Sequence, residues 1–199
     1  MIYLDQFVES IKFIEAVEEK LPVKPMDYSE IKGDLEHYWN NRNHKLYSQV
    51  LNQLQLIGLG LIAKVGDANL INRCHSMSHN ILLEYYRKGL HEHCELNITI
   101  GNVYYYDVNV YDTSRGKIKH ILEEGFQSDK TLDVHVWLTI ENMAVFDLTI
   151  MRTLVYRGML PHSAFVDQPF NIWREDLPSS FRYEPLLVDN TFFLRVDRE

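Results

Sequence analysis

The chain has 199 residues, 46% of them apolar, enough for a sizeable core. Its 28 acidic and 20 basic side chains give a formal charge of −8, which argues against nonspecific attraction to nucleic acid phosphates or anionic lipid. Nine glycines, six prolines and 12% aromatics exclude a disordered, collagenous or low-complexity chain, and two cysteines exclude a small disulfide scaffold while leaving room for one bridge.

The first ten residues carry acids where a signal peptide would carry a basic and then an apolar region, so a cytoplasmic protein is expected. From Leu4 to Leu21 apolar residues recur three or four apart, predicting an amphipathic helix stopped by Pro22 and Pro25. A second helical region begins near Ser29, whose hydroxyl can cap it, and helix resumes from His44 to about Ala63. The apolar stretch Leu54 to Val65 is broken by Gln55, Gly58, Gly60 and Lys64 and is shorter than the ~20 residues a membrane span needs, so no span is expected. Gly66 to Asn69 reads as a loop and Cys74 to Leu90 as a helix ended by Gly89.

Beyond Gly89 the period changes to alternation, with Leu96, Ile98 and Ile100 in one run and Tyr104, Tyr106, Val108 and Val110 in the next; both predict strands. A polar connection follows from Asp112 to Lys117, then a short helix over Ile118 to Phe126. Leu132 to Ile140 and Met143 to Ile150 read as strands joined at Glu141-Asn142, and Thr191 to Val196 as a last strand. Helices first and an antiparallel sheet afterwards predict a single α+β domain: a helical region over 1–70, a core over 71–150 and a C-terminal extension over 151–199. The excursion from Asp112 to Thr131 is long for a connection and is expected to border a cleft.

Cys74 opens a predicted helix, where unpaired amides and the macrodipole favour a thiolate; the bland alternative is a buried small hydrophobe. A thiol nucleophile needs a base. His75 lies about 100° around the helix and faces elsewhere, and His79 is also off the line, whereas Met77 and Ser78 lie on the cysteine's side. His135 alternates with Asp133 and Trp137 on the polar face of its strand, which suits a general base shielded by an indole. Asp147 would fix the imidazole. With a two-residue turn at Glu141-Asn142, Val136 pairs with Asp147 and the carboxylate falls on the wrong face. A three-residue loop or a bulge sets Asp147 opposite His135 or Trp137.

The order Cys74, His135-Val-Trp137, Asp147-Leu-Thr149 resembles the transglutaminase-like branch of the papain-like cysteine-hydrolase superfamily, over about residues 70 to 150. The resemblance implies a helix that starts at the cysteine and packs on an antiparallel sheet, and amide or thioester chemistry through an acyl-cysteine on a peptide or amide substrate, without a cofactor. Cys74 would be nucleophile, His135 base and then acid, Asp147 the orienting group, and Trp137 a flank of the base. Asn72-Arg73-Cys74-His75 lacks the aromatic often found in that family. The Cys74 amide is the first oxyanion donor to consider, with Gln53, Gln55 or Asn72 as side-chain candidates near the substrate.

Two other classes compete. His91-Glu92-His93-Cys94, or Cys74 with His75 and His79, is dense in metal-ligand types but lacks a paired spacing, so no metal is expected. A non-catalytic binding module could use the aromatic surface of Tyr104, Tyr105, Tyr106 and Tyr111. The charge of −8 favours neutral or basic substrates.

Overall fold

The structure is a computed structural model that describes residues 2–17, 26–125 and 134–196. Its order is α1 (Ile2–Val17), α2 (Tyr28–Asn40), α3 (Lys45–Val65), α4 (Cys74–Arg87), β1 (Leu96–Tyr105), β2 (Val108–Asn109), α5 (Arg115–Glu124), β3 (His135–Ile140), β4 (Val145–Asp147), α6 (Ile150–Tyr156), α7 (His162–Asp167), β5 (Asn171–Trp173), β6 (Phe181–Val188) and α8 (Phe192–Val196). Asp27, not Ser29, caps α2, its carboxylate accepting from the Ser29 and Glu30 amides, while Ser114 caps α5. Pro22, Pro25, Phe126 and the start of the predicted Leu132 strand lie outside the described residues.

The fold is α+β, with one antiparallel six-stranded sheet. β1 is its centre: β6 runs along one edge, β2 and β3 share the other, and β4 and β5 follow beyond β3. The first alternating run lies in β1, and the second starts at the end of β1 and crosses the Tyr106-Asp107 turn into β2. Helices α3 and α4 pack together, α4 lies on β3 and β1, and α1 lies on β6. Gly58 lets α3 approach β4, since a Cβ there would meet Leu148 Cδ1 at 3.0 Å and Phe146 Cζ at 3.3 Å.

The C-terminal quarter departs from expectation. Met143 to Ile150 is strand only over β4, because Asp147 turns the chain into α6. Thr191 to Val196 is helix, not strand: Asp189 accepts from the Thr191 amide and hydroxyl and starts a turn that becomes α8. The last strand is β6, hidden from pattern reading by Pro185. That proline is tolerated because it pairs with Gly101 beside a bulge between Ile100 and Gly101.

Candidate active site

The β3–β4 hairpin sets the site. Leu138 pairs with Phe146 and Thr139 with Val145, so one step further Trp137 stands opposite Asp147. The connection is a three-residue loop, Glu141 to Met143: the Ile140 amide donates to Ala144 O, the Met143 amide donates to Ile140 O, and Met143 takes a left-handed φ of 65°. Glu141 fixes it further, accepting from Tyr47 Oη at 3.1 Å and the Glu95 amide at 2.8 Å. This odd offset puts Asp147 on the face of His135, and His135 Nε2 meets Asp147 Oδ2 at 2.6 Å.

Both groups are fully buried. The carboxylate is satisfied on each oxygen, as burial of such a group demands. Oδ1 accepts from the Thr149 amide and hydroxyl and the Ile150 amide at the entry to α6, and Oδ2 accepts from His135 and, at 3.0 Å, from the Tyr183 hydroxyl of β6. Tyr183 in turn accepts from Asn171 Nδ2 at 3.0 Å.

Cys74 reaches His135 by way of a strand edge. Beyond Asp147 the chain leaves the sheet, and the Val134 and Val136 carbonyls are capped by α4: Cys74 Sγ donates to Val134 O at 3.5 Å and Ser78 Oγ to Val136 O at 3.3 Å. One helical turn, roughly 6 Å, matches two strand residues, roughly 7 Å, so the pair i, i+4 reads the pair i, i+2. The thiol then lies against the imidazole. Burial alone would push the thiol up, but hydrogen bonding and charge from His135, and next from His75, bring it down to about 6. Burial opposes charge on His135 too, yet the Asp147 charge and hydrogen bond, with the thiol, hold it well above its ordinary value. Both directions favour the thiolate–imidazolium form of the pair, in which Cys74 has given up the proton it otherwise donates to Val134 O. Nε2 being taken by Asp147, the ring atom left to face the thiol is Nδ1, which is buried without a hydrogen bond of good geometry.

His75 corrects one expectation: its ring lies against Phe193 at 5.6 Å, and it also acts on the Cys74 thiol, helping to bring it down. Trp137 lies on the site face, its ring 6.0 Å from that of His135 and its Nε1 donating to Tyr3 Oη at 3.0 Å. Asn72 is exposed in the turn before Cys74 with a φ of 57°, and Gln55 is half-buried on α3; neither has a described hydrogen bond to Cys74 or His135. Of the Asp112 to Thr131 excursion, the described part is a turn and α5, which packs on β6 and α8; residues 126–131 lie outside the described residues.

Tyr183, Tyr111, Thr149 and Ser78 complete the site, and pattern reading had assigned none of them a role there. Ser78 was legible as the residue one turn from Cys74; Tyr183 gave no signal, since 36 residues separate it from Asp147. Cys94 is a second free, buried thiol, pushed up to about 12 by burial first and then by Glu141, and is inert by comparison. Among the described residues no group of three or more His, Cys, Asp and Glu could hold a metal ion, and no helix is long and apolar enough to cross a membrane. A cavity of about 760 Å³ is lined by Tyr3, Tyr104, Trp173, Arg182 and Tyr183 but by neither Cys74 nor His135. Comparison with protein-family models, curated proteins and solved structures finds no match.

Proposed function

We propose that this chain is a cytoplasmic thiol hydrolase of the cysteine-peptidase kind, with a papain-like, transglutaminase-like core acting on an amide or peptide bond. The observation that carries it is the continuous line of Cys74, His135 and Asp147, closed by the 2.6 Å contact between imidazole and carboxylate. In this reaction the Cys74 thiolate attacks the carbonyl carbon, and the carbonyl π electrons move to oxygen, which the Cys74 amide stabilises. The His135 proton, carried on Nδ1, passes to the leaving nitrogen as the C–N bond breaks, giving a thioester and a free amine. Water then gives a proton to Nδ1 and its oxygen attacks the thioester; the C–S bond breaks, releasing acid and thiolate. An amine in place of water gives acyl transfer by the same steps.

Asp147 holds the ring and offsets its charge throughout, and Trp137 shields it. Asn72, two residues before Cys74, and Gln55 of α3 are the side chains proposed to meet the substrate. The test is intact-mass and peptide analysis after exposure to a small activated acyl ester: an acyl adduct on Cys74, lost in Cys74→Ser and slowed at least about 100-fold in His135→Ala, is expected. No adduct, or an adduct on Cys94 instead, overturns it. A non-catalytic module on this scaffold is the second reading, favoured by the 4% exposure of Cys74.

A further inference from the structure

A buried nucleophile can act only if something moves aside. Among the described residues one side chain that keeps some exposure lies flat on the buried imidazole: the partly buried Tyr111 ring stacks on His135 at 4.6 Å and 24°. Tyr111 belongs to no helix or strand. It follows β2 in a turn whose tip residue, Asp112, has a φ of 53°, and Asn109 Oδ1 accepts from the amides of both Tyr111 and Asp112. The far side of that turn is clamped, because Asn102 of β1 accepts from the Thr113 amide at 2.7 Å and donates to Thr113 O at 3.0 Å. Backbone motion is thus restrained on both sides while the side chain has weak ties: one long hydrogen bond from its hydroxyl to Thr153 Oγ1 at 3.3 Å, and the exposed Arg157 guanidinium 4.8 Å from its ring. Arg157 is itself tethered to Val110 O, one residue before Tyr111.

Taking the thiol-enzyme reading as its basis, we infer that Tyr111 is the gate of the Cys74–His135 pair, a side-chain door latched by Arg157 and Thr153 that must rotate off the imidazole to admit an acyl substrate. Rotation about the Tyr111 side chain uncovers the face of His135 and leaves the Thr153 hydroxyl and the Arg157 guanidinium at the rim of the opened space. The donor that enters there meets a hydroxyl and a cation, so at this rim a polar or acidic acyl group fits better than the basic one that the net charge of −8 would favour. Tyr111 is a positioning residue and takes no proton in the reaction.

Iodoacetamide alkylation, followed peptide by peptide, tests this because Cys94 reports global opening in the same sample. Tyr111→Ala is expected to speed alkylation of Cys74 by about tenfold or more with Cys94 unchanged, while Tyr111→Phe, which keeps the ring and loses only the weak hydrogen bond, stays within about threefold of the parent. Arg157→Gln, at an exposed position that leaves the core intact, is expected to give an increase of about threefold and serves if Tyr111→Ala does not fold. Cys74 labelling no faster in these variants, or rising in step with Cys94, overturns the gate. The thiolate absorbance of the same variants separates this from the catalytic reading: a Cys74 thiol that titrates like a free one in the parent removes the enzyme, whereas a low thiol value with unchanged accessibility removes only the gate.

Discussion

His135 sits where two opposing effects are each large. Burial penalises the imidazolium, and the Asp147 carboxylate at 2.6 Å, together with Tyr111 and Cys74, more than reverses it. Its proton is then shared with a thiol whose own burial would keep it neutral, so each charge exists because the other does. Ultraviolet titration of the thiolate should show one ionisation near 6 and none from Cys94 below the alkaline range. As pH rises through 6 the thiolate grows in, so alkylation and turnover should rise on that acid limb. His135→Gln removes the first partner and should move the midpoint up by about two units or more, and Asp147→Asn, which lets the imidazole go neutral, by about one. A midpoint that stays near 6 in both would mean that the helix terminus and His75 suffice. The types of the three residues were legible in the chain. Their satisfaction was not, since the donors to Asp147 include a tyrosine from β6 and two backbone amides whose positions depend on where α6 begins.

At the scale of elements, two short-range matches position the chemistry. The hairpin loop decides which face Asp147 takes, and one residue more or less would carry the carboxylate to the side of α3 and α4. The strand edge decides where Cys74 stops, because Cys74 and Ser78 are fitted to the Val134 and Val136 carbonyls. Gly101 shows how closely the strands are set. It pairs with His135 on one side and Pro185 on the other, and a Cβ there would intrude on the backbone carbonyl of Glu184 and meet Trp137 Cη2 at 3.0 Å. Because the nearest obstacle is main chain, relief requires a shift of β6. Gly101→Ala should therefore cost about 2 kcal/mol or more, measured as a fall in the denaturant midpoint, whereas Gly60→Ala, whose Cβ meets nothing within 4 Å on α3, should be neutral or slightly stabilising. Equal effects from the two would refute this account of the β1–β6 approach. The alternation of β1 and the stripe of α4 were plain from the sequence. The loop length, the bulge and the brevity of β4 were not, because Glu141-Asn142-Met143 accommodates either turn in isolation and its choice depends on Tyr47 and Glu95, which Glu141 joins from elsewhere.

For the molecule as a whole, the site is the place where distant segments meet. The Tyr3 hydroxyl of α1 joins Trp137 Nε1 to Thr139 Oγ1, and Thr139 meets Thr99, so a polar thread runs from the first helix through β3 to β1 beneath an otherwise apolar layer. The pH dependence of stability follows from the sum of such buried groups. Above about 6.5 the folded imidazole keeps a proton that the unfolded one loses, so its stabilisation declines with pH; over about 6 to 8.5 the folded thiol lacks a proton that the unfolded one holds, so its stabilisation grows. These cancel, and the triad leaves stability flat between about 6.5 and 8.5. Above about 8.5 unfolded thiols ionise while buried Cys94, held up to about 12, stays protonated, so the folded state binds more protons and stability must fall. Denaturant midpoints should therefore decline from about pH 8.5 upward, less steeply in Cys94→Ala, and a decline that begins near neutrality would contradict the paired ionisation. The amino-acid sequence by itself determined what depends on neighbours within a turn or a pleat: the helices that precede β1, the alternation of β1, the placing of a cysteine at a helix start and of a histidine on the polar face of a strand. Only the tertiary structure decided what depends on segments far apart: the odd register that brings Asp147 to His135, the tyrosines from α1 and β6 beneath them, and the ring of Tyr111 stacked on the imidazole. Local preference carries no information about such pairings, because each is fixed by contacts that exist only once the chain has closed on itself.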